Sequence, residues 1–150
     1  VEQNVGLALR ENYNLTSGEI DMIIAEKLEL VGLPNIQKMK PSDLSGGMKK
    51  RVSLARSLAT NPKYILYDEP TTGLDPVMSD QIDELIKDLS DKLKVTSIVV
   101  THDIFSVYDV ADFVAMMHDG KIYFEGTPEE LQNSPDKLIR DFLNRTDKKI

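Results

Sequence analysis

The stretch "LSGGMKKRVSLARSLATNPKYILYDEPTTGLDP", residues 44–76, decides the fold of this chain. It begins with a Ser-Gly-Gly motif ahead of a basic segment and continues into an apolar run that ends in Asp-Glu. A Gly-Leu-Asp-Pro turn closes it. Open α/β sheets bind ligands at the carboxyl ends of their strands, where an apolar strand that ends in an acid places a carboxylate. The stretch therefore predicts an α/β domain with a ligand site at that edge.

The segments on either side of this acid pair predict a strand-helix-strand unit. Residues 63–68 form one short apolar strand, and residues 96–101 form a second strand that is rich in β-branched residues. Between them Asp75 is expected to cap a helix that Pro76 opens. A strand, a helix and a second strand in this order predict a right-handed parallel unit.

Helices and one hairpin make up the rest of the predicted fold. Thr16 and Glu19 form a capping-box pattern at the start of one helix. Asp119-Gly120 is a strong signal for a two-residue hairpin turn. The remaining helices are predicted at 1–12, 16–32, from Ser45 to about Asn61, 104–111, from Thr127 as its cap, and 136–145.

The acid pair Asp68-Glu69 is the first candidate for chemistry. Asp68 could hold Mg²⁺ through water, and Glu69 could polarise a water molecule for attack on a phosphate. The alternative interpretation is a strand that ends in a solvated acidic turn, because short apolar-acid patterns are common.

The Ser-Gly-Gly motif is the second candidate. Glycines at a helix start leave backbone N–H groups unobstructed, the helix dipole favours an anion there, and Ser45 adds a hydroxyl. The alternatives are a plain Ser cap, with glycines for a tight approach, and a solvated face for Lys49 to Arg51.

Two further residues follow the predicted strands. His102 comes directly after the second strand and could donate a hydrogen bond to a terminal phosphate oxygen. It could equally be a loop histidine beside Asp103, which would cap the next helix. Asp75 also has a plain explanation, since Asp-Pro is ordinary chemistry at a helix start. His118 is expected to lie on the surface.

The order of these motifs resembles that of the ATP-binding cassette (ABC) ATPases. "LSGGMKKRVSLARSL" is followed by "ILYDEPTTGLDP" and then by "VVTHD". The sequence around "LSGGMKKR" and "VAMMHDGKI" looks most like that of the ATPases of Mla-type phospholipid transporters, also described as organic-solvent or toluene resistance systems. In this resemblance Leu44, Ser45, Gly46, Gly47 and Met48 match the signature loop, Asp68 and Glu69 the Walker B pair, Gly73 to Asp75 the D-loop, and His102 the switch histidine.

The resemblance implies a partial P-loop NTPase (RecA-like) core. Residues 1–55 would be the α-helical subdomain that ends in the signature helix, and 56–150 the C-terminal part of the core. No G-x-x-x-x-G-K-[ST] loop is present in the 150 residues. In the family, this Walker A loop lies in an N-terminal half that precedes the motifs seen here, and the chain begins at Val1, so a fragment without ATPase activity of its own is expected.

The resemblance also implies cofactors and partners. ATP and Mg²⁺ are the expected cofactors, and a second ATPase subunit, which makes a homodimer in the parent, and transmembrane permease subunits are the expected partners. We expect a cytoplasmic location on the inner face of the cytoplasmic membrane, with membrane contact only through the permease. Neither the transported substrate nor its direction of movement follows from the sequence.

Composition is consistent with this interpretation and restricts the alternatives. The net charge of −7 argues against nucleic acid as a partner, and the absence of cysteine gives no sign of a disulfide framework. Two alternatives stay open: a non-catalytic module that engages a membrane partner, and an ABC-type ATPase in a process other than transport. Receiver domains also end strands in paired acids, but they do not explain "LSGG" or "TTGLDP".

Overall fold

The computed structural model describes residues 1–147 of the chain. These residues form two units, the first from Val1 to Val100 and the second from Thr101 onward. The predicted boundary near residue 55 falls inside the first unit, and it stays a prediction.

The first unit opens with short helices. The helix predicted over residues 1–12 is divided at Gly6, where a Cβ atom would approach the side-chain methyl of Ile24 to 2.8 Å. The capping box at Thr16 is confirmed, because the Thr16 hydroxyl accepts from the Glu19 amide and the Glu19 carboxylate accepts from the Thr16 amide. The helices are α1 (Glu2–Val5), α2 (Leu7–Asn12) and α3 (Ser17–Leu30), followed by a 3₁₀ turn at Pro41–Asp43.

The predicted strand-helix-strand unit follows α4 (Gly46–Leu58), which ends three residues before the predicted limit at Asn61. Strand β1 (Tyr64–Asp68) pairs in parallel with β2 (Thr96–Val100), and α5 (Pro76–Leu93) connects them. The prediction of a parallel pair is confirmed. The largest fully buried side chains of this unit come from the helices and the residues that flank them: Val5, Ile24, Leu28, Val31, Leu58, Ile82, Ile86 and Leu89.

One face of the β1-β2 pair carries exposed apolar side chains. Ile65 and Tyr67 are buried on the opposite face, because successive side chains of a strand point to opposite sides. On the open face Leu66 is 76% exposed and Val100 is 58% exposed. In the described part of the chain, β1 and β2 pair only with each other.

The second unit contains a hairpin and three helices. Strands β3 and β4 are antiparallel and joined at Asp119-Gly120, where both residues have positive φ, at 47° and 72°. This confirms the predicted two-residue turn, since a type I′ turn requires positive φ at both positions. The elements are α6 (Ile104–Val110), β3 (Val114–His118), β4 (Lys121–Gly126), α7 (Pro128–Gln132) and α8 (Lys137–Asp147). In residues 1–147 no helix combines the length and the apolar character needed to cross a membrane.

Candidate functional site

The loop before α4 is built as a Ser-capped helix start. The Ser45 side-chain oxygen accepts a hydrogen bond of 3.2 Å from the Met48 amide, so the predicted cap is confirmed. Ser45 and Gly46 are exposed, whereas Leu44 is buried and anchors the loop. The hydroxyl oxygen serves as the acceptor in this cap, and its proton remains available for donation to a ligand. Capping and anion binding by Ser45 are therefore compatible.

The two glycines of this loop contact the start of α5. A Cβ atom on Gly46 would lie 3.5 Å from a side-chain methyl of Leu74, which is ordinary packing distance. A Cβ atom on Gly47 would overlap the terminal methyl of Met78. The tight-approach interpretation of the glycines therefore holds for Gly47, and the Gly73-Leu74-Asp75 turn lies next to the Ser-Gly-Gly loop.

The acid pair lies at the carboxyl end of β1, as predicted. Asp68 is the last residue of the strand, is exposed, and is opposite Val100 in the parallel register. Glu69 continues the ladder, because its amide donates a hydrogen bond of 2.8 Å to the Val100 carbonyl.

The backbone of Glu69 is in the left-handed region, with φ at 48°. This conformation costs a non-glycine residue about 1–2 kcal/mol. Contacts within the turn hold it: Thr72 donates from its amide to the Glu69 carbonyl at 3.3 Å and from its hydroxyl to a Glu69 carboxylate oxygen at 2.9 Å. Strained residues of this kind occur preferentially at functional sites.

The basic residues of α4 are not a uniform solvated face. Lys49 is exposed, but the Lys50 ammonium donates to the Glu69 carbonyl at 3.1 Å, and the Arg51 guanidinium donates to the Val31 carbonyl at 3.0 Å. The solvated-face interpretation is therefore wrong for Lys50 and Arg51. The sequence does not separate Lys50 from Lys49, because the burial of Gly47, three residues earlier on the same side of the helix, is itself a tertiary feature.

Asp75 has the structural role that the plain interpretation gives it. Its carboxylate accepts from the Met78 amide at 3.1 Å and caps α5, with Pro76 at the first helical position. Gly73 has φ at 82°, which favours glycine in this turn. A contact between Asp75 and a nucleotide remains a prediction.

His102 belongs to the second unit. It is exposed and follows β2 by two residues. The neighbouring Asp103 caps α6, since its carboxylate accepts from the Phe105 amide at 3.0 Å, as the plain interpretation expected. The structure thus brings Leu44 to Met48, Asp68, Glu69 and Asp75 into one unit, while the switch role of His102 stays a prediction.

A magnesium site at the acid pair would have to rely on few carboxylates. Within residues 1–147 there is no cluster of three or more His, Cys, Asp or Glu side chains that could hold a metal ion by itself. Mg²⁺ usually keeps several waters and uses one or two carboxylates together with substrate phosphates. The exposed carboxylate of Asp68 fits that kind of site and does not fit a metal held by protein ligands alone.

A parallel α/β unit with an acid pair at its carboxyl edge and a Ser-Gly-Gly helix start puts this chain in the class of α/β nucleotide-binding folds. A family model described as ABC transporter matches residues 1–72. The intermembrane phospholipid transport system ATP-binding protein MlaF of Haemophilus influenzae is 44% identical over 140 residues, which is 93% of this chain and 53% of that protein. The chain belongs to the ABC transporter family of ATP-binding proteins.

Other relatives and solved structures agree on the family. The methionine import ATP-binding protein MetN of Streptococcus mutans is 41% identical over 142 residues, 94% of this chain and 40% of that protein. The dimeric post-hydrolysis structure of the ATP-binding cassette MJ0796, bound to ADP and Pi, matches with a TM-score of 0.72 and 34% identity over 85% of this chain and 56% of that one. The chain spans about half the length of the curated MlaF relatives it matches. These matches confirm the predicted family and the α/β fold class.

Proposed function

We propose that the protein to which this chain belongs is the ATP-hydrolysing subunit of an ABC transporter for phospholipid. One observation carries the enzymatic part: Glu69 stands at the carboxyl end of a parallel strand, in a strained backbone conformation that Thr72 and Val100 hold. A carboxylate fixed in this way is suited to act as a general base, which contributes about 10²- to 10⁴-fold to a rate.

The proposed chemistry is attack of water on the γ-phosphorus of ATP, which forms a bond to the water oxygen, breaks the bond to the β-γ bridging oxygen and releases ADP and inorganic phosphate. Glu69 would orient this water and accept its proton, and Asp68 would hold Mg²⁺. Mg²⁺, when bound, offsets the charge of the phosphate oxygens. His102 donates a hydrogen bond to the terminal phosphate as a switch residue.

The signature loop is proposed to act on the site of a second subunit. The start of α4 offers hydrogen-bond donors to a γ-phosphate: the Ser45 hydroxyl and the backbone amides of Gly46 and Gly47. Leu44 and Met48 of the same loop, and Asp75 of the D-loop, are also proposed to bind the nucleotide. The solved MJ0796 relative is a dimer bound to ADP and Pi, which supports a homodimer. Permease subunits in the cytoplasmic membrane would hold this dimer on the inner face of the membrane.

Phospholipid is favoured as the substrate by the MlaF relatives, whose name describes intermembrane phospholipid transport. The methionine import relative is nearly as similar, at 41% identity, and makes amino-acid import the second candidate. The intact ATPase, reconstituted with its permease, would decide between them. Transfer of fluorescent phospholipid between vesicles supports the proposal, and ATP-dependent methionine uptake without lipid transfer contradicts it.

The ATPase role is tested on the intact polypeptide and on the 150-residue chain. We expect phosphate release from Mg-ATP by the intact protein, and little by the chain alone, because it has no P-loop to hold the substrate. Glu69→Gln in the intact protein should bind ATP and hydrolyse it at least about 100-fold more slowly. Unchanged turnover in that variant would remove Glu69 from the role of base. Binding without hydrolysis by the unsubstituted protein would favour the non-catalytic module.

A further inference from the structure

The ammonium group of Lys50 connects the signature helix to the proposed catalytic residue of the same chain. It donates a hydrogen bond of 3.1 Å to the main-chain carbonyl of Glu69, and the Lys50 side chain is partly buried there. The sequence separation of 19 residues makes this a tertiary contact between the first turns of α4 and the end of β1.

The acceptor of this bond is the peptide group that determines where the Glu69 side chain points. The Glu69 amide donates a hydrogen bond to the Val100 carbonyl. The Glu69 carbonyl accepts one hydrogen bond from the Lys50 ammonium and another from the Thr72 amide within the turn. With φ at 48°, Glu69 is in a conformation that side-chain-bearing residues rarely adopt. Loss of a charge-assisted hydrogen bond to such a peptide lets the turn relax toward ordinary backbone conformations.

The next residue of α4, Arg51, contacts the end of α3 instead of the end of β1. Arg51 donates to the Val31 carbonyl, directly after the C-terminus of α3, where a cation is favoured by the helix dipole. Consecutive residues of one helix therefore bind the C-terminal end of α3 and the turn at Glu69. The same helix begins at Ser45, so a change in its orientation reaches both the Ser-Gly-Gly loop and Glu69.

We propose that Lys50 is a positioning residue, which orients the Glu69 carboxylate through the Glu69 main-chain carbonyl and ties that orientation to the position of α4. This proposal rests on the proposed function, in which Glu69 acts on the attacking water. In this role Lys50 acts through the main chain of Glu69 and not directly on the nucleotide or the water.

The first test measures steady-state ATP hydrolysis of the intact ATPase. Lys50→Met keeps the apolar stem and removes the donor, whereas Lys50→Arg keeps a donor. Lys49→Met, at the exposed neighbouring position, is the matched control. Because small misplacements of a catalytic group cost about 10²-fold, we expect kcat to fall about 10- to 100-fold in Lys50→Met with KM for ATP changed less than about twofold. Lys50→Arg should recover most of kcat, and Lys49→Met should resemble the unsubstituted protein.

The second test does not depend on hydrolysis. Hydrogen-deuterium exchange of the intact protein without nucleotide, followed on peptides that cover residues 68–74, reports how firmly the turn is held. We expect faster exchange in Lys50→Met than in Lys49→Met and slower exchange again in Lys50→Arg. If the unsubstituted protein hydrolyses no ATP but this exchange pattern appears, the proposed function fails while the link between Lys50 and the turn stands. Equal exchange in the three variants overturns the proposal, as does a raised KM at unchanged kcat in Lys50→Met.

Discussion

The hydroxyl of Thr72 donates a hydrogen bond of 2.9 Å to a carboxylate oxygen of Glu69, three residues earlier in the chain. The Thr72 amide also donates to the Glu69 carbonyl, at 3.3 Å. One residue therefore contacts both the main chain and the side chain of Glu69. Both contacts lie within the turn and involve no ligand.

The first prediction concerns this hydroxyl. Thr72→Val in the intact ATPase removes the donor at nearly constant shape, and the carboxylate loses its fixed direction. We expect kcat to fall about 3- to 30-fold, because a hydrogen bond to a charged group is worth about 1.5–3 kcal/mol, part of which water replaces in the variant. Thr72→Ser keeps the hydroxyl and serves as the control. Steady-state phosphate release is the measurement, and equal rates for the valine and serine variants would contradict the prediction.

The second prediction separates packing from ligand binding at Gly46 and Gly47. Both lie in the first turn of α4, where alanine is a better helix former than glycine by about 1 kcal/mol. The added methyl meets only ordinary contact at Gly46, and at Gly47 it meets the flexible end of Met78. Thermal unfolding should therefore show both Gly→Ala variants within about 1 kcal/mol of the unsubstituted protein.

ATP hydrolysis by the same variants, made in the intact ATPase, should change much more than their stability if the loop binds phosphate. The methyl groups would stand where the amides must approach the γ-phosphate, so we expect ATP turnover to drop about 100-fold without a matching loss of stability. A double variant, Gly47→Ala with Met78→Ala, relieves the packing conflict and provides the control. Recovery of turnover in the double variant would mean that packing against Met78 is the reason for glycine at position 47.

The predictable part of this fold consisted of local signals. The capping residues Thr16, Ser45, Asp75 and Thr127 mark helix starts that the structure reproduces, because a side-chain acceptor near orphan amides acts within one turn. The turn at Asp119-Gly120 is equally local. These features depend only on residues within about four positions of one another.

The features that the sequence did not predict depend on tertiary contacts. At Gly6, where the helix is divided, Ile24 approaches the backbone closely, and no local pattern carries that information. Lys50 sits in a run of three basic residues, and only the position of β1 distinguishes it from the exposed Lys49. The left-handed backbone of Glu69 was likewise not predictable, since Glu has no intrinsic preference for positive φ.

The third prediction concerns the pH dependence of the capping box at α3. Hydrogen bonds from the Thr16 amide, and then from the Thr16 hydroxyl, hold the pKa of Glu19 below its ordinary value of 4.5. A lowered folded-state pKa means that Glu19 stabilises the fold fully above its unfolded-state pKa. That contribution is lost as the pH falls through the lower folded-state value.

Carboxyl NMR titration measures this pKa directly. Thr16→Ala keeps the amide donor and removes the hydroxyl, so the pKa of Glu19 should rise part of the way toward its ordinary value. Glu19→Gln should flatten the loss of thermal stability over the same acidic range, compared with Glu11→Gln at an exposed position of α2. A Glu19 titration that Thr16→Ala leaves unmoved would contradict the assigned cause.

The fourth prediction concerns the open face of the β1-β2 pair. Tyr64, Leu66, Ile98 and Val100 are all more than half exposed on these strands, and in the described residues neither strand has a further neighbour. An apolar strand face with unpaired edges favours association with a second copy. We therefore expect the 150-residue chain, expressed by itself, to associate with increasing concentration, as measured by light scattering after size exclusion.

A charge on this face should oppose the association. Leu66 is 76% exposed, so Leu66→Lys removes apolar surface with little effect on the fold, typically within about 0.5 kcal/mol for such a position. The matched control is Ile122→Lys, which adds the same charge at a side chain 57% exposed on the hairpin of the second unit. We expect a monomeric mass for Leu66→Lys at concentrations where the control and the unsubstituted chain associate. If the unsubstituted chain is monomeric, or if the two variants associate equally, this strand face does not drive association of the chain.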